Sequence, residues 1–195
     1  MKIFIATKNA KKLIELDRIL TPLGFEVLSE KDLDKPFPEI EETGTTFAEN
    51  AVLKAQAGLE LTGLISVADD SGICVDYLDG APGIYSARYS GGHGNDAENN
   101  KKILRELDGV PMEKRTAHYA AAIACVFPDG RKFTVEGKCY GYIAFEESGD
   151  QGFGYDPLFI SENGCFGHLS AEEKDEISHR GKALKLFKEE LTKYI

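Results

Sequence analysis

Ile65-Ser66-Val67-Ala68-Asp69-Asp70-Ser71-Gly72 is an uncharged run, partly β-branched, that leads into two adjacent carboxylates followed by Ser71 and Gly72. Ile65 to Ala68 reads as a short buried strand, and Asp69-Asp70-Ser71-Gly72 would then lie at its carboxyl end, where open α/β sheets hold their ligands. Upstream, Thr46-Phe47-Ala48-Glu49 has the spacing of a capping box, and Val52, Ala55 and Leu59 give the segment after it one apolar helical face. Before that, Pro36, Pro38 and Glu39-Ile40-Glu41-Glu42 form a connector unsuited to a central strand or a helix interior. Nearer the start, Lys2 to Ala6 reads as a strand, Lys11 to Leu20 as a helix with Leu13, Leu16, Ile19 and Leu20 at the 3.6 period, and Phe25 to Leu28 as a second strand after Gly24.

Downstream of the acidic pair, Asn95 or Asp96 can cap a helix running to about Leu107. His118 to Phe127, Pro128-Asp129-Gly130 and Arg131 to Glu136 read as a hairpin, so the middle of the sheet is antiparallel. Ser170-Ala171-Glu172-Glu173 is a second capping box, and a last helix from about His179 repeats Ala183, Phe187, Leu191 and Tyr194 on one face. The fold class is therefore α/β: a mixed sheet with helices on both sides. With no linker, repeat or low-complexity tract, residues 1–195 are read as one domain, in keeping with roughly 100–200 residues per domain.

Hydrophobic residues make up 42% and charged residues 29% of the chain, which excludes disordered and fibrous classes. No apolar run approaches the roughly 20 residues of a membrane helix, and Met1 to Ala6 leads straight into Thr7-Lys8-Asn9 with no signal-peptide pattern, so a soluble cytoplasmic protein with no membrane partner is expected. A net charge of −10 argues against polymeric nucleic acid as a partner. It leaves room for a small anionic ligand, because a few lysines and one metal ion set the sign of a local site. Cys74, Cys125, Cys139 and Cys165 show no C-x-x-C pairing and read as buried thiols.

Three groups of residues could carry chemistry. Glu41-Glu42 and Asp69-Asp70 are oxygen donors of the kind that hold Mg²⁺, which binds through one or two carboxylates together with substrate phosphates. A carboxylate off the metal could accept a proton from an attacking water. Alone, Glu41-Glu42 also fits a solvated loop, and neither pair is specific by itself. Thr7, Lys8, Asn9, Ala10, Lys11 and Lys12 form a polar strand-to-helix connection where lysines and helix-end amides can hold a phosphate, although the glycine pattern of a P-loop is absent. Lys54 adds a cation on the second helix. In Gly152-Phe153-Gly154-Tyr155-Asp156-Pro157 a planar ring could stack on Phe153 or Tyr155 while Asp156 accepts a hydrogen bond. Ser178-His179-Arg180-Gly181 puts two potential cations at a helix start, against the dipole, which points to a ligand as much as to a simple cap. Ser71 has no histidine nearby in sequence to activate it. His93, His118 and His168 are too scattered for a metal site and receive no role.

Taken in order, Ala6 to Lys12, Glu41 to Ala51 with Lys54-Ala55, Ala68 to Gly72, Pro82-Gly83-Ile84-Tyr85-Ser86-Ala87-Arg88-Tyr89, Gly152 to Phe159 and Ser178 to Leu184 resemble the Ham1-like inosine triphosphate pyrophosphatase family, the XTP/dITP diphosphatases. The resemblance spans nearly the whole chain and departs at Lys8, where a small residue is expected. It implies an elongated mixed sheet with two lobes around a central nucleotide-binding cleft, a homodimer, and Mg²⁺-dependent hydrolysis of ITP, dITP and XTP to the monophosphate and pyrophosphate. It further implies that Thr7 to Lys12 and Lys54 hold phosphates, and that Glu42 and Asp70 serve the metal, with Glu41 and Asp69 as unseparated neighbours. Asp70 is then the proton acceptor, and Ser71, Phe153, Gly154, Tyr155, Asp156, Lys174, His179 and Arg180 contact the nucleotide, mostly at the base. The competing readings are a pyrimidine-directed enzyme of the same chemistry, like the Maf-like proteins, and a nucleotide sensor without turnover.

Overall fold

The computed structural model describes residues 1–34, 36–92 and 94–195, so His93 lies outside the described residues. The described strands form one seven-stranded sheet of order β2-β1-β3-β4-β5-β6-β7. They are β1 (Lys2–Ile5), β2 (Glu26–Leu28), β3 (Ile65–Val75), β4 (Thr116–Val126), β5 (Lys132–Ile143), β6 (Phe159–Ser161) and β7 (Gly164–Cys165). β1 pairs in parallel with β2 and β3, whereas β6 runs antiparallel to β5 and β7, so the sheet is mixed as expected. The helices are α1 (Ala10–Leu20), α2 (Phe47–Thr62), α3 (Asp96–Glu106), α4 (Ala171–Ile177) and α5 (His179–Leu191). Among the described residues no helix is long and apolar enough to cross a membrane.

The chain divides into two compact units: Met1–Asp70, Ala121–Glu136 and Ala183–Ile195 form the first, Ser71–Ala120 and Gly137–Lys182 the second. In the first unit the strand period of two sorts side chains between two cores. Ile3, Ile5, Ile65 and Val67 pack with Leu16 and Leu20 of α1 and with Ala183, Phe187 and Leu191 of α5. Phe4, Ala6 and Ala68 turn the other way, onto Ala51 and Ala55 of α2. Both faces are covered, which is why Ile3 to Ala6 is a continuous apolar run rather than an alternating one. Phe187 is fully buried and, on transfer grounds, contributes about 1.5–3 kcal/mol.

The second unit has its own core of Ile73, Val75, Ile103, Leu107, Tyr119, Ile143, Tyr155, Phe159 and Phe166. The buried Arg115 guanidinium donates to the carbonyls of Leu107, Ile143 and Ala144 at 2.7–2.8 Å, tying the end of α3 to the end of β5.

The strand expected to end at Ala68 continues to Val75, because Ile73 and Val75 are drawn into the second core. Gly72 is a close-approach residue within that strand: a β-carbon there would collide with Ser86 Oγ and the Gly83 carbonyl. Ser86 uses that proximity, accepting the Ile73 N–H at 2.9 Å and donating to the Gly83 carbonyl at 2.6 Å. Asp69 and Asp70 consequently sit in mid-strand.

Candidate active site

In the first unit α1 starts where the sequence places its polar connection. Asn9 is the N-cap, its Oδ1 accepting the Lys11 N–H at 2.9 Å and the Lys12 N–H at 3.4 Å, while its own N–H donates to Thr7 Oγ1 at 3.2 Å. Those first-turn amides, expected to face a phosphate, are thus taken by the cap, and the cationic character of the segment comes from its lysines. Lys8 and Lys11 are exposed, as are Asn9 and Ala10. Lys12 reaches back to Asp69 Oδ2 at 2.9 Å.

On the opposite face of β3, Lys54 of α2 bonds Asp70 Oδ1 at 2.8 Å and Glu42 Oε1 at 3.2 Å. α2 is fixed for this by Thr46, whose Oγ1 accepts the Glu49 N–H at 3.1 Å. The capping box is half realised, since the Glu49 carboxylate turns to the N–H and hydroxyl of Thr45 at 2.6 and 2.9 Å. Glu41 is exposed, whereas Glu42 is half-buried and drawn in by Lys54.

The electrostatics of this cluster are asymmetric. Burial by itself lowers the pKa of Lys54, but the surrounding Asp70, Asp69 and Glu42 carboxylates outweigh it and the net shift is upward. For Asp70, burial raises the pKa and Glu42 adds to that, against the opposing pull of Lys54 and Lys12; the net shift is also upward. One shift favours the charged form and the other disfavours it. For Asp70 burial is the larger influence and outweighs the lysines, whereas for Lys54 several surrounding carboxylates together outweigh burial.

Two carboxylates converging on one ammonium are also a fit for a hard divalent cation. Among the described residues there is no group of three or more His, Cys, Asp or Glu side chains able to hold a metal by themselves. Mg²⁺ needs no such cage when phosphates and waters complete its octahedron, and Glu42 and Asp70 are the residues that could hold it.

In the second unit the polar residues gather around Asp156, which is 2% exposed. Its Oδ2 accepts from Lys174 Nζ at 2.5 Å and from the Phe153 N–H at 2.8 Å, and its Oδ1 accepts from the Tyr119 hydroxyl at 3.3 Å. Lys174 Nζ also lies 4.7 Å from the centre of the Phe153 ring. Ser178 joins α4 to α5: its N–H donates to the Lys174 carbonyl at 2.8 Å and its Oγ accepts the Gly181 N–H at 3.1 Å. That junction sets His179 against Tyr119 and lets Arg180 Nη2 donate to Ser71 Oγ at 3.0 Å.

The two aromatic candidates separate. Phe153 is exposed, with Lys174 and Arg180 over its ring. Tyr155 is a core residue, 4% exposed, whose hydroxyl donates to the Ser86 carbonyl at 2.7 Å, so its ring is not available as a stacking platform. Asp156 likewise spends its oxygens on protein donors, which makes it a fixed anchor for Lys174 in place of a free acceptor for a base.

Three residues escaped the sequence reading. Asp96 accepts the Gly154 N–H at 2.8 Å and Asn100, one turn further along α3, donates to the Gly154 carbonyl at 3.2 Å. Their i, i+4 spacing was the only available signal, and it was absorbed by the capping reading. Tyr119 left no signal in an apolar strand.

The Ham1 family profile matches residues 3–190. A dITP/XTP pyrophosphatase of Geobacter sulfurreducens is 48% identical over 192 residues, covering 97% of this chain and 96% of that protein. A protein of the same name from Nitratidesulfovibrio vulgaris is 52% identical over 191 residues, with 94% and 92% covered. Among solved structures, the Ham1 protein of Staphylococcus aureus matches with a TM-score of 0.91 and 36% identity over 100% of both chains.

Proposed function

The chain belongs to the Ham1 family, and from that premise we propose that it is a nucleoside triphosphate pyrophosphatase hydrolysing ITP, dITP and XTP to the monophosphate and pyrophosphate. The observation that carries the reading is the convergence of Asp70 and Glu42, at 2.8 and 3.2 Å, on the one Lys54 ammonium. Anionic and cationic groups so arranged suit a polyphosphate bound with a divalent cation.

The roles divide by unit. In the first, Lys12 and Lys54, with Thr7, Lys8, Asn9, Ala10 and Lys11, bind the triphosphate and stabilise charge developing on the pyrophosphate leaving group. Glu42 and Asp70 would hold Mg²⁺, which would supply neutralisation of phosphate charge and polarisation of the phosphoryl oxygens, while Asp69 is turned to Lys12 and Glu41 is exposed. Asp70 would accept a proton from the water attacking the α-phosphorus. In the second unit, Phe153 supplies a stacking face, and Lys174, His179 and Arg180, with Ser71 behind Arg180, supply donors for a 6-oxo purine. Gly154, Tyr155 and Asp156 hold the loop that carries Phe153. Adenine would set an amino donor against these donors, a mismatch worth about 10⁴–10⁵-fold in a buried site.

The proposal extends to one functional domain over residues 1–195, a homodimer, and action in the cytoplasm on free nucleotides with no part for polymeric nucleic acid or membrane. The charge of −10 supports the exclusion of nucleic acid. The test is pyrophosphate release from ITP, dITP, XTP, ATP, GTP, CTP and TTP with Mg²⁺ and with EDTA. Mg²⁺-dependent release confined to the first three is expected. Release from a pyrimidine nucleotide alone, or tight ITP binding without release, overturns it.

A further inference from the structure

We propose that Tyr119 of β4 is a positioning residue for base recognition, its hydroxyl anchoring Asp156 and its ring holding the imidazole of His179. The phenol is 7% exposed and donates to Asp156 Oδ1 at 3.3 Å. Its ring stacks on that of His179 with centroids 4.5 Å apart and planes 8° from parallel. A single side chain therefore touches both the carboxylate that fixes Lys174 and the imidazole at the start of α5. Phe159, edge-on at 4.8 Å, and Phe166, parallel at 6.0 Å, pack against the same ring and limit its freedom.

Packing alone would be met as well by phenylalanine. A buried hydroxyl is costly without a partner, so its presence at this position is accounted for by the bond to Asp156. Burial first, and the neighbouring Asp156 carboxylate second, push the phenol well above its ordinary range, keeping it a neutral O–H donor. Asp156 has its other oxygen committed to Lys174 and to the Phe153 N–H, so the hydroxyl completes its set of donors and fixes the plane of the carboxylate. Loss of the hydroxyl frees that carboxylate to rotate and loosens the Lys174 ammonium it aims.

This inference rests on the second unit being the base-reading one, and the experiment separates the two ideas. Steady-state kinetics with ITP and ATP are measured for the wild type, Tyr119→Phe and Tyr119→Leu, together with inhibition by tripolyphosphate as a probe of the phosphate side and thermal midpoints as a check on folding. For Tyr119→Phe, KM for ITP should rise about tenfold with kcat nearly unchanged, the size expected for one hydrogen bond to a charged group. The ITP/ATP ratio of kcat/KM should fall by a similar factor, and the tripolyphosphate inhibition constant should stay put. Tyr119→Leu should lose more, because it also removes the stack; a folded Tyr119→Leu no worse than Tyr119→Phe would remove the stacking part of the proposal. A Tyr119→Phe enzyme with wild-type KM and ratio, or with equal losses for ITP, ATP and tripolyphosphate, overturns the positioning role. A wild type that turns over ITP and ATP alike would instead overturn the base-reading assignment itself.

Discussion

Asp69 and Asp70 are consecutive on β3 yet are answered by different helices: Lys12 of α1 meets the first at 2.9 Å and Lys54 of α2 meets the second at 2.8 Å. The strand period of two makes this unavoidable once both faces of the sheet are covered. The two carboxylates therefore have separable duties. Asp70→Asn should cut kcat by about 10²–10⁴-fold, the usual worth of a positioned proton acceptor, with folding preserved. Asp69→Asn, which releases Lys12, should act chiefly on KM. Equal kinetic effects of the two variants would contradict the division.

The upward shift of Asp70 also predicts a pH dependence. Its folded pKa lies above the ordinary 3.8, so between the two values the folded chain binds more protons than the unfolded one. The associated stability is fully present below the ordinary value and is lost as pH rises through the folded one. In EDTA, the midpoint of Asp70→Asn should gain on that of the wild type as pH rises above the ordinary carboxylate value of 3.8. Parallel curves would show that the carboxylate is not the group responsible.

Lys54 is the counter-ion that lets Glu42 and Asp70 approach each other without metal. Lys54→Met leaves two part-buried carboxylates facing one another and should cost about 1–3 kcal/mol of stability in EDTA, less than a fully buried pair because some solvent reaches them. Mg²⁺ should restore part of it and should raise the wild-type midpoint as well, since a ligand at about 100 times its Kd adds about 2.7 kcal/mol. Urea unfolding with and without Mg²⁺ reads this directly. An identical loss in both conditions would detach Glu42 and Asp70 from the ion.

What the sequence made legible was local and periodic. Leu13, Leu16, Ile19 and Leu20 marked the buried face of α1, and Ala183, Phe187 and Leu191 that of α5, because the 3.6 period survives any tertiary arrangement. Ser170 and Glu173 formed the capping box their spacing foretold, at 2.9 to 3.3 Å in both directions. Where partners are distant in sequence the reading ran out. Nothing local distinguishes Phe153 from Tyr155; contacts distant in sequence, with the apolar core of the second unit and with the Ser86 carbonyl 69 residues away, make Tyr155 core. The need for glycine at position 72 was not legible, because the Ser86 and Gly83 atoms that exclude a β-carbon there are likewise contributed by another segment. The two-residue β7 and three-residue β6 are too short to carry any period.

Gly181 is a second position where backbone contact dictates the residue. A β-carbon there would strike the Asp175 carbonyl of α4, and no flexible side chain is available to give way. Gly181→Ala should therefore destabilise the chain by about 1–3 kcal/mol despite the helical preference for alanine, and should disturb His179 and Arg180 next to it. Chemical denaturation checks the sign: a more stable Gly181→Ala protein would mean that α4 and α5 separate easily.

Arg180 and Ser71 offer the last test, because their 3.0 Å hydrogen bond joins a candidate base contact to the residue that follows Asp70 on β3. If Ser71 acts by holding the guanidinium, Ser71→Ala should raise KM for ITP about two- to fivefold, and Arg180→Ala should lower the ITP/ATP ratio of kcat/KM by about tenfold or more. The double variant should then be no worse than Arg180→Ala alone, since the serine has nothing left to hold. Additive losses would show instead that Ser71 contacts the nucleotide independently, and an unchanged ratio in Arg180→Ala would remove the arginine from base discrimination.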